Sequence, residues 1–242
     1  MVATKGAPQG ALALIGGSGL REAERFRSAP VRRVATPYGE VELSHFAGGL
    51  FLQRHGVAHY VPPHRVNHKA HLAALEHAGA GRILAVASVG SLRPELPPGT
   101  LVMPDDFFAP HLGISFFDDA RGHRTAGFDR EWRDTLLEAW RRSGMPLPHV
   151  GGVYWQSVGP RFETPAEIRF HQPHCHLVGM TAASEAILAG ELGIPYAVIA
   201  MVDNFANGID GPPLELTTFK ALARRNEARL VQTIETLVDL LR

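Results

Sequence analysis

The stretch Val158-Gly159-Pro160-Arg161-Phe162-Glu163-Thr164-Pro165-Ala166-Glu167 decides how this chain is read. Val153, Tyr154 and Trp155 form a strand-like apolar run before it. Thr164, Pro165 and Glu167 then make a helix start: a hydroxyl N-cap, proline at the first helical position, and a carboxylate at the third that can reach back to the cap amide. Glu163 is thereby placed at a strand-to-helix turn, where open α/β sheets present ligand-binding residues. The ordinary fate of a glutamate is a solvated loop. Two later stretches, Val178-Gly179-Met180-Thr181 and Met201-Val202-Asp203-Asn204, weigh against that for Glu163.

Outward from this stretch, strands and helices alternate. Residues 11–15 form a short buried-type strand that runs into Gly16-Gly17-Ser18-Gly19-Leu20. A glycine-rich turn after a first strand is either a tight structural turn or an anion cradle built from backbone N–H groups. The dinucleotide fingerprint fails, because Glu22 stands at the third glycine position, and no Gly-Lys-Ser/Thr follows to make a P-loop. Residues 41–46 and 50–53 read as a hairpin around Gly48-Gly49. The second of these strands ends in Arg54-His55-Gly56, a planar cation and a titratable ring at one rim. A helix is expected over 64–79. The run Ile83-Leu84-Ala85-Val86-Ala87 is an interior strand opening into Ser88-Val89-Gly90-Ser91-Leu92. Residues 105–128 read as an irregular, Phe-rich loop that covers a site or packs on another subunit. Helices are expected over 129–143, ended by Gly144, over 181–192 and over 216–241, and strands near 177–179 and 196–202. The fold class is α/β: a single domain over residues 1–242, with a mixed central β-sheet flanked by helices and residues 1–10 as a flexible tail.

Composition narrows the function. Of 242 residues 45% are hydrophobic, enough for a sizeable core. Lys+Arg and Asp+Glu both total 24, so the charge balance gives no sign of a basic stripe for nucleic acid or an anionic membrane. Cys175 is the only cysteine, which excludes an internal disulfide and fits a reducing compartment. No signal-like segment opens the chain, and no apolar run approaches about twenty residues. A soluble, cytoplasmic protein is expected. His64, His68 and His71 fall at i, i+4 and i+7, and His171, His174 and His176 surround Cys175. Neither group has the His-Glu-x-x-His pattern or an evident fourth ligand of a zinc hydrolase.

Four of these stretches, each at a strand end and in the same order, resemble the trimeric purine nucleoside and methylthioadenosine phosphorylases: Gly16-Gly17-Ser18-Gly19-Leu20, Arg54-His55-Gly56, Gly159-Pro160-Arg161-Phe162-Glu163-Thr164, and Gly179-Met180-Thr181 with Glu185. The resemblance spans the chain from Ala13 to the last helix. It implies phosphate-dependent cleavage of a nucleoside's glycosidic bond, with inorganic phosphate as co-substrate, no further cofactor and no metal. By position, Ser18, Arg54, His55, Ser88 and Thr181 would hold phosphate. Phe162, Met180, Asp203 and Leu216 would contact the nucleoside, and Glu163 and Asn204 would read the base and stabilise it as it leaves. The chain departs from the family at Ala87, where Thr or Asn is common, and at Asp203, commonly Thr. The resemblance also implies a homotrimer, with Phe116, Phe117 or His123 reaching a neighbour's site. By the same resemblance, Leu214 and Leu216 would lie against the 5′ substituent and, with no histidine in 211–222, would make that pocket apolar. Glu163 as acceptor and Asn204 as donor match a 6-oxopurine edge, as in S-methyl-5′-thioinosine, inosine and guanosine. The alternatives are a methylthioadenosine phosphorylase, a metal-dependent hydrolase and a non-catalytic nucleoside binder.

Overall fold

In the computed structural model, residues 10–17, 20 and 23–242 are described. Strands β1 (Ala11–Gly16), β2 (Val31–Thr36), β3 (Gly39–Phe46), β4 (Gly49–Gln53) and β5 (Ala80–Ser91) build one side of a mixed sheet. Strands β6 (Leu101–Met103), β7 (Asp106–Phe108), β8 (His149–Val150), β9 (Val153–Gln156), β10 (Leu177–Gly179) and β11 (Tyr196–Phe205) build the other. Helices α1 (Glu24–Arg27), α2 (His68–His77), α3 (Arg130–Ser143), α4 (Pro165–His171), α5 (Ala182–Glu191) and α6 (Leu216–Leu240) flank it. Among the described residues, no helix is long and apolar enough to cross a membrane.

The alternation of strand side chains explains the two faces. Ala13, Ile15, Ile83 and Ala85 meet α2 and α5 through Leu72, Leu75, Ala182 and Ala186. Leu12, Leu14, Leu84 and Val86 face the opposite way, toward Phe26, Trp132, Trp140, Ile234 and Leu237 of α1, α3 and α6. Because both faces are covered, β1 and β5 read as continuous apolar runs.

The sheet forks at β5. β11 lies parallel along one edge of β5, from Ile83 to Ser91. On the other edge, β1 pairs in parallel only as far as Ala85, and β10 pairs antiparallel at Gly90 and Ser91. Between Ala85 and Gly90 that edge has no partner strand. A cleft opens there, rimmed by the ends of β1, β4, β10 and β11.

Most of the expected elements stand where the patterns place them. The Thr164 start is a full capping box, with the Thr164 hydroxyl accepting from the Glu167 amide and the Glu167 carboxylate from the Thr164 amide. Gly144 ends α3 in the left-handed region. Two expectations are corrected. The helix over 64–79 is broken: Pro63–Arg65 is a 3-10 turn, and α2 begins afresh at Asn67, whose side chain accepts from the Ala70 amide. The loop over 105–128 contains the short strand β7, which pairs with β9.

Candidate active site

The cleft is built from strand ends. Arg54 and His55 follow β4, residues 87–90 lie on β5, and Val178 to Thr181 join β10 to α5. Phe162 and Glu163 form the turn before α4, and Asn204, Ala206 and Asn207 come from the end of β11. Leu214, Leu216 and Phe219 close the outer side. Of the expected site residues, Arg54, His55, Ser88, Phe162, Glu163, Met180, Thr181, Asn204 and Leu216 line this one cleft. Ser18 lies outside the described residues, although its neighbour Gly17 is part of the lining.

At one end stands a buried cation. Arg54 is 1% exposed and pairs bidentately with Glu185 of α5: Nε to Oε1 at 2.5 Å and Nη2 to Oε2 at 2.9 Å. Its Nη1 donates to the Val86 carbonyl at 2.8 Å, within the unpaired gap of β5. Tyr196 Oη donates to Glu185 Oε2 at 2.8 Å. Burial opposes ionisation of Glu185, but the Arg54 charge and hydrogen bonds outweigh it and hold the carboxyl below its ordinary range. His68 lies 3.8 Å from Glu185, and burial pushes its pKa down to about 4, so the ring stays neutral near pH 7. His55 shares a 2.8 Å hydrogen bond between Nδ1 and the Val61 carbonyl. A carbonyl only accepts, so Nδ1 carries the proton of this bond. Arg54 is thus a fixed charge in the cleft wall, which suits an anion that must be held in one orientation.

The start of α5 explains Thr181. Tyr154 Oη, from β9, accepts from the Thr181 and Ala182 amides at 3.2 and 3.4 Å. Gln156, two residues on and so on the same strand face, accepts from the Ser184 amide at 3.1 Å. These side chains hold amides of the first turn, and Thr181 itself lines the cleft with no side-chain cap bond to the helix. Gly179 is required by the same arrangement, since a Cβ there would collide with the Tyr154 hydroxyl. Gly159 has φ +65°, and a Cβ on it would come 2.6 Å from Met180 Sδ, so glycine lets the Met180 side chain lie in the cleft.

At the other end, Glu163 is 7% exposed and accepts from the Ser157 hydroxyl. Burial raises its pKa above the ordinary carboxylate range, and the Ser157 hydrogen bond partly opposes this. Asn204 is 7% exposed and donates from Nδ2 to the Phe205 carbonyl at 2.7 Å. Phe162 faces Phe219 with ring centroids 5.8 Å apart. Ser157→Ala removes the donor that favours ionised Glu163. If ionised Glu163 reads the base, the acid limb of kcat/KM for the nucleoside should move to higher pH in this variant. A pH profile at saturating phosphate reads that shift.

Asp203 is the expected contact that the structure does not bring into the cleft. The β11–β5 register slips between Val202 and Asn204, which makes Asp203 the extra residue of a bulge. Asp203 is 1% exposed, accepts from Asn226 of α6 at 2.8 Å and is also hydrogen-bonded to Ser88, so it stands behind the cleft lining and not in it. The same bulge turns Asn204 into the cleft. Of the histidines, His64 sits in the 3-10 turn, while buried His68 and half-buried His71 lie on α2 with ring centroids 6.5 Å apart. Among the described residues, no group of three or more His, Cys, Asp or Glu is placed to hold a metal ion. Tyr154, Gln156, Tyr196, Asn207 and Phe219 are the site's unforeseen residues. In the sequence Tyr154 reads only as part of an apolar strand, and Gln156 and Asn207 carry no signal.

A cation fixed at one end of a forked sheet and a carboxylate–amide pair at the other define a class that the comparisons identify. The chain belongs to the phosphorylase superfamily, whose family model matches residues 11–239. Its relatives include a probable 6-oxopurine nucleoside phosphorylase of Archaeoglobus fulgidus, 35% identical over 94% of this chain and 95% of the relative. A probable S-methyl-5′-thioinosine phosphorylase of Xanthomonas campestris is 37% identical over 90% of this chain and 92% of the relative. Among solved structures, methylthioadenosine phosphorylase from Schistosoma mansoni in complex with adenine is similar, with a TM-score of 0.84 at 28% identity over 96% of this chain and 92% of that one.

Proposed function

We propose that the chain is a purine nucleoside phosphorylase acting on 6-oxopurine nucleosides, with S-methyl-5′-thioinosine preferred over inosine and guanosine. The products are the free base and (5-methylthio)ribose 1-phosphate. The observation that carries this reading is the pairing of Glu163 and Asn204 in a cleft whose far end holds Arg54 and His55. Hypoxanthine and guanine present N1–H as donor and O6 as acceptor, which Glu163 and the Asn204 amide complement. Adenine would set its N1 lone pair against the carboxylate. The methylthioadenosine alternative has support from solved structures at 28% identity, whereas the relatives named for 6-oxopurine or thioinosine substrates are 35–42% identical.

In the proposed mechanism Arg54, the His55 ring, Ser88 and the Thr181 hydroxyl hold phosphate against the ribose, with Ser18 joining them. As the glycosidic bond breaks, the ribosyl group gains oxocarbenium character. The oriented phosphate supplies both counter-charge and nucleophile. Phe162 stacks on the base and Met180 lies against the sugar. As the base gains electrons, N7 takes up a proton from solvent, the Asn204 amide oxygen accepts from that N7–H, and Glu163 accepts from N1–H. The test is a cleavage panel of methylthioinosine, inosine, guanosine, adenosine and methylthioadenosine with and without phosphate. Cleavage should require phosphate, withstand chelators, and rank methylthioinosine first. Cleavage without phosphate, or faster cleavage of methylthioadenosine, would overturn the proposal.

The proposal extends to a cytoplasmic homotrimer. Phe116, Phe117 or His123 is proposed to reach a neighbour's site; within its own chain Phe116 packs on Tyr38 and Phe117 lies under Arg121. The support comes from exposed Phe108 and Val158, which line a second hollow beside the Glu163 turn, and from exposed Phe170, whose ring neighbour His171 also lines it. Sedimentation at micromolar concentration should give three times the chain mass, and a fully active monomer would overturn this part.

A further inference from the structure

Residues 206–215, which join β11 to α6, have no helix or strand of their own. The Ile209 amide donates back to Ala206, and the next backbone tie is Phe219 to Glu215 inside the first turn of α6. Among the described residues, no backbone-to-backbone hydrogen bond holds 210–214. Helix α6 begins at Leu216 without a side-chain cap. Yet this weakly tied segment carries Leu214, and it leads directly into Leu216 and Phe219, the apolar outer wall of the cleft.

One side chain supplies what the backbone lacks. Asn207 Oδ1 accepts from the Leu214 amide at 2.8 Å, and Asn207 Nδ2 donates to the Glu163 carbonyl at 2.8 Å. A single amide therefore ties the apolar wall to the very residue that faces the base. We infer that Asn207 is a specificity-determining positioning residue, which sets the distance between the base-reading turn and the wall that meets the 5′ substituent of the nucleoside. This rests on the nucleoside phosphorylase reading of the cleft.

The physical consequence is selective. A 5′-methylthio group is recognised by contact with carbon, and dispersion contact falls away steeply when a gap of a fraction of an ångström opens. A 5′-hydroxyl receives no hydrogen bond from Leu214, Leu216 or Phe219, and it gains access to water when the wall loosens. Releasing the wall therefore harms the methylthio nucleoside more than the hydroxyl one. The phosphate end, held by the Arg54–Glu185 pair on another element, is not affected.

The experiment compares wild type, Asn207→Ala and Asn207→Asp. Aspartate keeps an acceptor for the Leu214 amide but sets a carboxylate oxygen against the Glu163 carbonyl. For each, kcat and KM are measured for methylthioinosine and inosine at saturating phosphate, and KM for phosphate is measured separately. The expected result for Asn207→Ala is a fall of about tenfold in the methylthioinosine-to-inosine ratio of kcat/KM, the size associated with losing a small apolar contact. The fall appears mainly in KM for methylthioinosine, KM for phosphate is unchanged, and Asn207→Asp lies between. A residue that merely supports folding would lower both nucleosides together, and an unchanged ratio in an active enzyme overturns the inference while leaving the function standing. A wild type that cleaves neither nucleoside overturns the function and this inference with it. If Asn207→Ala does not fold, Asn207→Asp carries the same comparison.

Discussion

Glu185→Ala should destabilise the fold by about 3–5 kcal/mol, since removing one partner leaves a buried charge uncompensated. Arg54 and Glu185 are 1% and 0% exposed, and nothing else in the described site offers Arg54 a carboxylate. The loss is readable as a drop in urea midpoint. The double variant Arg54→Met with Glu185→Leu should recover most of that stability, because both charges go together, while phosphorolysis remains absent. A double variant that cleaves nucleoside normally would remove Arg54 from the phosphate site. The pair also predicts the direction of acid sensitivity. Glu185 has a folded pKa below its unfolded one, so its contribution is complete above the unfolded value and is lost as pH falls toward the folded value.

The second large effect concerns the base. Glu163→Ala should lower kcat/KM for 6-oxopurine nucleosides by roughly 10⁴-fold, the scale on which a polar site rejects a mismatched edge. Losses for 6-aminopurine nucleosides should be far smaller. Asn204→Asp should depress cleavage of inosine-type substrates and raise that of adenosine-type ones, because a carboxylate accepts where the amide donated. Equal losses across both classes of base would show that Glu163 supports the turn and does not read the base. Such a role is physically available, since the Glu163 backbone carbonyl is itself a hydrogen-bond partner of Asn207.

The sequence made the strand ends legible because each combined an apolar run with a local stop. The capping box at Thr164, the left-handed Gly144 and the doubly buried β5 all follow from residues within a few positions of one another. What was not legible depended on partners distant in the chain. The bulge at Asp203 exists only in the pairing of β11 with β5, so two adjacent polar residues could not be assigned to opposite faces beforehand. Tyr154 and Gln156 look like ordinary strand residues until α5 is laid across them. The break before α2 was closer to hand. Asn67 is a good N-cap residue, and the histidine spacing masked it.

The fork at β5 also has a consequence for how the chain is made. A nascent chain leaves the ribosome N-terminus first, and β1 to β5 can pair as soon as residue 91 is out. The other edge of β5 must then wait for β11, and the far end of its first edge for β10. During that interval an apolar strand of twelve residues presents open backbone groups, the arrangement most prone to pairing with another chain. Folding is slowed by the same long separations between partner strands. The gap that receives the ligand is thus the remnant of an edge that the finished protein closes almost, but not entirely, with its own strands.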